Sequence, residues 1–450
     1  MLATGLIAID ATILATAVPS IVRDLGGFQE FPWLFSVYLL AQAVSVPIYS
    51  RFSDTVGRKP IIMIGIGLFL LGSVLCGFAW SMSWLIVFRI VQGLGAGAVA
   101  PMSMTIVGDI YTVAERAKVQ GYIASVWAVS SVVGPALGGI FAQLDAWRWI
   151  FFVNVPLCAL AAWMLLRRYH EQTEKRRHRI DFAGAALLTV GLTGIILGLL
   201  EGGTAWAWLS LPSLLCFGVG AAALALFAVV ERRAAEPIID FRVFSRRLIL
   251  TTTIVSFGIG ALMIGVTSFA PTYLEGALGI APLLSGLAVA ALTLGWPIAA
   301  ANVGRLYLRI GFRRTALIGM SIATIAAAAL AVTGPWPSPF TVAGIAFVLG
   351  FGLGWSAAPT LIAAQASVGW SERGAVTGMN AFARSAGSAV GVAVFGAISN
   401  AVIAQGAGPQ DPATIVSAST WVFVGAAATA VLTLAAAAFM PRDSAADHSG

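Results

Sequence analysis

Charge is scarce in this chain. Only 10% of its 450 residues are Asp, Glu, Lys or Arg, where ~25% is usual in soluble domains. A water-soluble enzyme, a coiled coil and a disordered chain all need more charge than this. Histidine is almost missing. His170, His178 and His448 all fall in polar segments, which excludes a metal or catalytic histidine from any apolar core. The three cysteines, Cys76, Cys158 and Cys216, each sit inside an apolar run. Their number and spacing fit neither a metal site nor a disulfide framework, so they read as small core residues. No Walker A loop occurs, and an ATP-driven pump needs one. No cofactor is expected, and the energy source must be an ion gradient.

What the chain has is apolar sequence. Hydrophobic residues make up 59%, against a usual ~45–50%, and mean hydropathy is +0.92. A helix needs ~20 apolar residues to cross the hydrocarbon core of a bilayer. Fourteen such runs occur, at about 3–22, 32–50, 61–80, 84–109, 119–143, 149–167, 182–201, 207–230, 249–275, 283–303, 315–333, 340–364, 375–402 and 418–440. They are long and continuous and lack a period of two, which excludes a strand barrel. The expected fold is an all-α polytopic membrane protein with fourteen transmembrane helices.

Lys and Arg collect in cytoplasmic loops because they are poorly translocated. With the chain start inside, alternation of the runs places 22 of the 26 Lys and Arg residues in inside segments. Arg23 and Arg148 fall outside, and Arg89 and Arg384 fall within spans. A wrong span count would break this pattern downstream of the error. The net charge of +7 is therefore topological and needs no nucleic acid. Trp33, Trp80, Trp84, Trp147, Trp149, Trp206, Trp208, Trp336 and Trp421 fall near outer ends and Trp370 near an inner one, as interfacial belts require. The reading is a multi-pass protein of the inner (plasma) membrane with both termini cytoplasmic. Because Asp10 lies in a first span with almost nothing before it, a short cytoplasmic segment is expected to precede Met1.

Two inside loops repeat. SRFSDTVGRK (50–59) and GRLYLRIGFR (304–313) each follow an even-numbered run, hold a glycine at the eighth position and end in basic residues. The offset is 254 residues, or eight spans. Six spans, two extra and six again is the simplest partition. It gives an N-terminal six-helix bundle at 1–167, a cytoplasmic linker with two accessory helices at 168–248, a C-terminal six-helix bundle at 249–440 and a tail at 441–450. Repeated bundles around a midplane site are a transporter design.

Here the chain resembles a known family. SRFSDTVGRKP (50–60) is similar to the loop signature of the major facilitator superfamily between spans 2 and 3. IDATILATAVPSI (9–21), FRIVQGLGAGAVAP (88–101), SSVVGPALGGI (130–140) and WRWIFFVNVP (147–156) resemble motifs of spans 1, 4, 5 and 6 in the fourteen-span drug:proton antiporters of the QacA/EmrB type. PTYLEGALGIAPLLSG (271–286) and GMNAFARSAGSAVG (378–391) resemble second-half segments of that branch. Ser50, Thr55 and Ser130 depart from the usual residues of these motifs. The resemblance implies the major facilitator fold. It places Asp10 at the coupling position and associates the span 4 motif of Arg89 with proton coupling. It also implies that the Gly-Pro motif of span 5 marks antiport.

The residues carry their own readings. Asp10 is a carboxylate flanked by apolar neighbours, a default functional position inside a membrane. It can exchange a proton, pair with a cationic cargo, or serve as a helix contact satisfied by a hydroxyl such as Thr12. Arg89 keeps its charge and must face polar groups or water. It tunes a nearby carboxylate, carries a proton-dependent hydrogen bond, or tethers itself to Gln92 or a backbone carbonyl. Asp54, Gly57, Arg58 and Lys59 form the inside loop, where Asp109 is a candidate partner for Arg58 in a gating ion pair or a static anchor. Gly134, Pro135, Gly138 and Gly139 predict a close-packed, kinked seam. Trp127, Trp296 and Trp355 fall mid-span, where aromatic faces can line a cavity for flat or cationic molecules. Asn380 and Arg384, one turn apart, are further cavity candidates. Glu201 and Glu275 lie at outer span ends, as secondary sites or simply solvated groups.

The expected function is proton-coupled export of amphipathic small molecules or drugs, cationic ones among them, by alternating access. The alternative is a major-facilitator importer or symporter of a small metabolite, which would line its cavity with more polar groups. The expected partners are a small-molecule cargo, protons and the bilayer, and a monomer is the expected working unit. An enzyme would need a buried catalytic constellation, and none is evident.

Overall fold

The computed structural model describes residues 2–110, 113–169, 181–234, 246–333, 338–368, 373–408 and 411–441. The linker expected around 168–181, the three histidines, Trp336, Trp370 and the tail lie wholly or largely outside these residues. The described chain is helical, apart from an isolated bridge between Gly202 and Trp206. The helices are α1 (Leu2–Leu25), α2 (Phe31–Val56), α3 (Arg58–Gly77), α4 (Met82–Ile110), α5 (Val113–Gln143), α6 (Trp149–Arg168), α7 (Phe182–Glu201), α8 (Leu211–Arg233), α9 (Arg247–Ala277), α10 (Pro282–Ile310), α11 (Phe312–Thr333), α12 (Pro339–Ala366), α13 (Arg373–Ile403) and α14 (Pro412–Ala438). α6 is interrupted at Val153, and α9 ends in a π-helical turn, Tyr273–Ala277.

Each expected run is thus a helix. Among the described residues, twelve of the helices are long and apolar enough to cross a membrane. α2 and α5 carry shorter apolar stretches, Phe31–Val46 and Val132–Gln143. The C-terminal half of α2 and the N-terminal half of α5 are diluted by polar residues such as Arg51, Asp54, Arg116 and Lys118.

The chain divides into two compact units, Met1–Ile238 with Ala281–Gly286, and Ile239–Ile280 with Leu287–Gly450. The accessory pair α7–α8 belongs to the first. Gly194 and Gly220 let the pair approach backbone to backbone. α7 docks on α2 through the Phe52 and Phe182 rings, 6.3 Å apart, and through Trp33, whose Nε1 donates to Glu201 Oε1 at 2.9 Å.

Inside each unit the same pairs of helices close-pack, because small residues let backbones touch where hydrocarbon supplies no hydrophobic drive. In the first unit a Cβ on Gly72 would meet Gln92 N at 2.5 Å, joining α3 to α4, and Gly93 lies on the Tyr38 carbonyl, joining α2 to α4. In the second, Gly319 meets Gly352 O at 2.7 Å, joining α11 to α12, and Gly354 meets Trp296 O at 2.6 Å, joining α10 to α12. Gly134 and Gly138 join α1 to α5; Gly260, Gly387 and Gly391 join α9 to α13. Each second-unit pair is the first-unit pair advanced by eight helices.

The repeated loops match in detail. Gly57 and Gly311, 254 residues apart, have φ of +115° and +88°, a region that glycine enters without steric cost. Two residues on, Lys59 Nζ donates to Leu166 O and Tyr169 O at 3.2 and 2.7 Å, capping α6. Arg313 Nη2 donates to Ala438 O at 2.6 Å, capping α14. Cations at helix C-termini answer unpaired carbonyls and the helix dipole. At the opposite face, Asp411 caps α14 by accepting from Thr414 N and Oγ1 at 2.8 and 2.6 Å. Those bonds hold its carboxyl below the usual carboxylate range.

Both basic residues expected outside are neutralised there. Arg148 pairs with Asp24 at 2.7 Å and Arg23 with Asp145 at 3.4 Å.

Candidate functional site

Five helices of the first unit bring polar side chains to one point. α1 gives Asp10, α2 Tyr38, α3 Ser73 and Cys76, α4 Arg89 and Gln92, and α6 Asn154. All are buried; Asp10 is 1% exposed and Arg89 2%. A charge at such a place survives only if it is paired and hydrogen-bonded. Arg89 Nη1 donates to Asp10 Oδ2 at 2.9 Å and to Gln92 Oε1 at 2.6 Å, and Arg89 Nε donates to Leu34 O at 3.1 Å. The guanidinium lies over the Tyr38 ring, 4.0 Å from its centroid. The other carboxylate oxygen, Asp10 Oδ1, accepts from Gln92 Nε2 at 2.7 Å and Asn154 Nδ2 at 3.1 Å. Ser73 Oγ accepts from both amides, at 2.8 and 3.0 Å.

Two polar atoms of the cluster have no partner among the described residues, Asn154 Oδ1 and Tyr38 Oη. The break at Val153 sets the orientation of Asn154, the first residue of the helical segment that follows.

Asp10 is therefore not an isolated carboxylate. The expectation of Thr12 as its satisfying hydroxyl is corrected: Thr12 Oγ1 donates to Ala8 O at 3.0 Å and to Ser130 O at 3.2 Å. One nitrogen of Arg89 serves Asp10 and Gln92 at once, so the contacts that either reading of Arg89 needs are both present. Asn154 and Ser73 were not anticipated. A single amide or hydroxyl in an apolar run carries no local signal, although Asn154 stands within the span 6 motif.

The Gly-Pro segment forms the expected tight seam. Gly134 faces Thr12, and Gly138 faces Thr16 and the Ile13 carbonyl. Gly139 meets the backbone of Pro282 and Leu283, which belong to the same unit. The seam also carries a hydroxyl ladder. Thr12, Thr16 and Ser20, one per turn of α1, donate to Ser130 O, Pro135 O and Ala142 O of α5 at 3.2, 3.4 and 3.3 Å. Among the described residues, α5 contributes no side chain to the Asp10 cluster, but it packs on α1, the helix that carries Asp10.

Of the inside loop, Gly57 has the left-handed backbone given above, and Lys59 caps α6. The side chains of Asp54, Asp109 and Trp127 lie outside the described ones, so the Arg58–Asp109 pair and a Trp127 cavity wall stay as expectations. Glu201 accepts from Trp33, an anchor for α7 and not a free outer carboxylate. Glu275 lies in the π-helical turn of α9.

The second unit holds the other candidates. Asn380 is buried and its Oδ1 accepts a hydrogen bond from Ser256 Oγ, while its Nδ2 has no partner among the described residues. Trp355 stacks on Phe351 with centroids 4.9 Å apart, and its buried Nε1 has no partner among the described residues either. Trp296 is half-buried, and its carbonyl faces Gly354. Arg384 sits deep among the helices and is nonetheless exposed.

Comparison with known proteins agrees with this architecture. Multidrug resistance protein 3 of Bacillus subtilis is 34% identical over 391 residues, covering 87% of this chain and 76% of that one. Multidrug transporter protein MdtP of the same organism is 32% identical, covering 89% and 75%. Efflux pump FUS6 of Gibberella fujikuroi is 32% identical, covering 89% and 74%. Among solved structures, a peptide transporter POT in complex with sulfate superposes with a TM-score of 0.69 at 15% identity, covering 96% and 92%. A D-xylose-proton symporter superposes at 0.67 and 14% identity, covering 98% and 95%; these two likenesses speak for the fold alone. The sequence profile described as Major Facilitator Superfamily matches residues 1–392. With the same helix pairs close-packed in both units, a buried charge cluster in the first and multidrug efflux relatives at this identity, the chain belongs to the Major Facilitator Superfamily and is a multi-pass membrane transporter of small molecules.

Proposed function

We propose that this transporter is a proton-coupled exporter of amphipathic small molecules, of the fourteen-span drug:proton antiporter branch, with α2 and α5 also crossing the bilayer. The observation that carries the reading is the buried cluster around Asp10. Among the described residues of the first unit, Asp10 is the one carboxylate buried in the middle of a helix, and Arg89 is its ion-pair partner.

The chemistry runs as follows. With Asp10 ionised, both its oxygens are filled by donors from α4 and α6, and the helices are locked together. A proton on Asp10 turns one oxygen from acceptor to donor. It then competes with the Gln92 and Asn154 amide donors and removes the counter-charge of Arg89. Asn154 Oδ1, free at present, is an acceptor within one amide rotation. Arg89 loses the interaction that offsets its desolvation, and breaking such a pair costs about 3–5 kcal/mol. A conformation in which Arg89 reaches water then becomes competitive, so protonation is coupled to helix movement. Exchange of that proton against cargo, in a cycle of alternating access, is export driven by the gradient.

The same occupancy argues against direct cargo pairing. Asp10 as it stands is buried and each of its oxygens already accepts from a neighbouring side chain, Arg89 on one and Gln92 and Asn154 on the other. Its role in this reading is energetic coupling, with the cargo held elsewhere. The relatives named for multidrug resistance and efflux support export over import.

The test is Asp10→Asn in cells lacking other pumps, loaded with a fluorescent dye. The variant is expected to reach the membrane in normal amount and to lose export that an uncoupler abolishes in the parent. Undiminished gradient-driven export by Asp10→Asn would sink the assignment.

A further inference from the structure

Resting on the transport reading, we infer that the second unit carries a binding site for the anionic group of an amphipathic cargo, a carboxylate or sulfonate, centred on Arg384. Arg384 is the twelfth residue of α13, roughly 16 Å along the axis from its start. At that depth a cation facing lipid is costly, and intramembrane arginines face water or a partner. Arg384 has no side-chain hydrogen bond or ion pair to any described residue, and it is exposed.

The face that exposes it is not a lipid face. Gly378, Ala381 and Arg384 are exposed on successive turns of α13, flanked by half-buried Thr377 and Ser385. Lipid-facing helices of this protein look different: α8 exposes Leu214, Leu215, Val219 and Leu226. A stripe of small and polar residues around a guanidinium is a water-accessible wall.

The unsatisfied groups nearby are donors. Asn380 Nδ2, one turn before Arg384 on the same helix, is buried and has no partner among the described residues, while its oxygen accepts from Ser256. Trp355 Nε1 on neighbouring α12 is buried and unpartnered as well. Gln365 Nε2 donates to Thr377 Oγ1 at 2.8 Å, and this antiparallel register brings Trp355 to the level of residues just beyond Arg384. A fixed positive charge, an amide N–H and an indole N–H match an oxyanion with two or more oxygens, which an arginine fork binds in two-point fashion. The Trp355 and Phe351 rings offer a flat apolar surface for the rest of such a molecule. Among the described residues the buried carboxylate Asp10 is already paired with Arg89, Gln92 and Asn154.

The experiment uses the purified full chain in nanodiscs of neutral phosphatidylcholine. Two permanently charged probes share one ring system: naphthalene-2-sulfonate and trimethyl(2-naphthyl)ammonium. Calorimetric titration is expected to show the sulfonate binding more tightly. Arg384→Gln should weaken the sulfonate by about tenfold or more, the usual cost of losing a hydrogen bond to a charged group, and leave the ammonium probe unchanged. Arg384→Lys should keep part of the affinity. Trp355→Phe, which keeps a ring but loses the N–H, should weaken the sulfonate by severalfold. These two variants decide the matter if Arg384→Gln fails to fold. Absent sulfonate binding, tighter binding of the ammonium probe, or sulfonate affinity indifferent to Arg384 would each overturn the inference. Gradient-driven export of the cation without a sulfonate site would refute this inference and spare the transport reading. A sulfonate bound through Arg384 yet never moved by a proton gradient would do the reverse.

Discussion

A carboxylate and a guanidinium taken out of water must replace each other's solvent, and at Asp10 and Arg89 they do. The pair sits at 2.9 Å with every charged oxygen supplied with a donor. Removing one partner strands the other, at a cost of about 3–5 kcal/mol, whereas replacing both by neutral groups is often much cheaper. Arg89→Gln alone is therefore expected to destabilise the purified protein by about 3 kcal/mol or more, while Asp10→Asn with Arg89→Gln loses less than that single change. Thermal unfolding midpoints in detergent measure both, and strictly additive losses would show that the two charges do not act as a pair. The residues of this cluster were unequally legible. Asp10 and Arg89 stand out because charges in apolar runs are rare, so each demands a partner. Gln92 was flagged only through Arg89. Asn154 and Ser73 stayed hidden, because their part arises from the meeting of α3, α4 and α6, and periodicity within one helix says nothing about such a meeting. Arg384 was legible as a charge, but its freedom from any described partner was not.

At the scale of helices, van der Waals contact between small residues takes the place of the hydrophobic effect. Gly138 has no room for a side chain, since a Cβ would collide with Thr16 Oγ1 and with the Ile13 carbonyl. The second obstacle is backbone and cannot move alone, so Gly138→Ala must push α1 from α5 and break the hydroxyl ladder between them. Strong loss of folded yield is expected, and it should persist in the Thr16→Ala background, because the carbonyl remains. Gly218 on α8 is the matched control. A Cβ there meets nothing within 4 Å, so Gly218→Ala should stabilise by about 0.5–1 kcal/mol through helix propensity alone. Size-exclusion yield and unfolding midpoint separate the two variants. The capping pair makes a smaller prediction. Lys59→Met and Arg313→Met should each cost about 0.3–1 kcal/mol and speed amide exchange at the last turn of α6 and of α14 respectively, with no cross-effect. The GxxxG spacing of the seam could be read from sequence. Its hydroxyl ladder could not, because Thr and Ser in helices usually bond back to their own chain, as Thr12 also does here.

Over the whole molecule, the strongest sequence signal was the repeat, and it works at two levels. The loop glycines share a backbone state and the basic residues after them share a task, although the loops have few identical residues. Geometry was preserved while chemistry drifted, because a left-handed turn and a capped carbonyl tolerate many neighbours but not the loss of glycine or of the cation. Span number is set by a different balance. α2 and α5 are long helices with short apolar stretches, because their inner halves carry polar residues. Their outer halves are apolar, and their ends must alternate if the basic loops are to stay on one side. Five positions test this. In a background with Cys76, Cys158 and Cys216 replaced, Glu30→Cys, Leu144→Cys and Ala207→Cys should react with a membrane-impermeant maleimide on intact cells. Val56→Cys and Ala234→Cys should react only after permeabilisation. Equal accessibility of positions 30 and 56 would mean that α2 does not cross. Position 144 on the side of position 56 would mean the same for α5, and agreement of 207 with 234 would remove the accessory pair from the count. Loss of α2 alone or of α5 alone would shift the parity of every later loop and move its arginines to the outer face, whereas loss of the accessory pair, an even number, would leave the later loops where they are. The energetic penalty for translocating so many cations is what makes fourteen crossings the expected outcome.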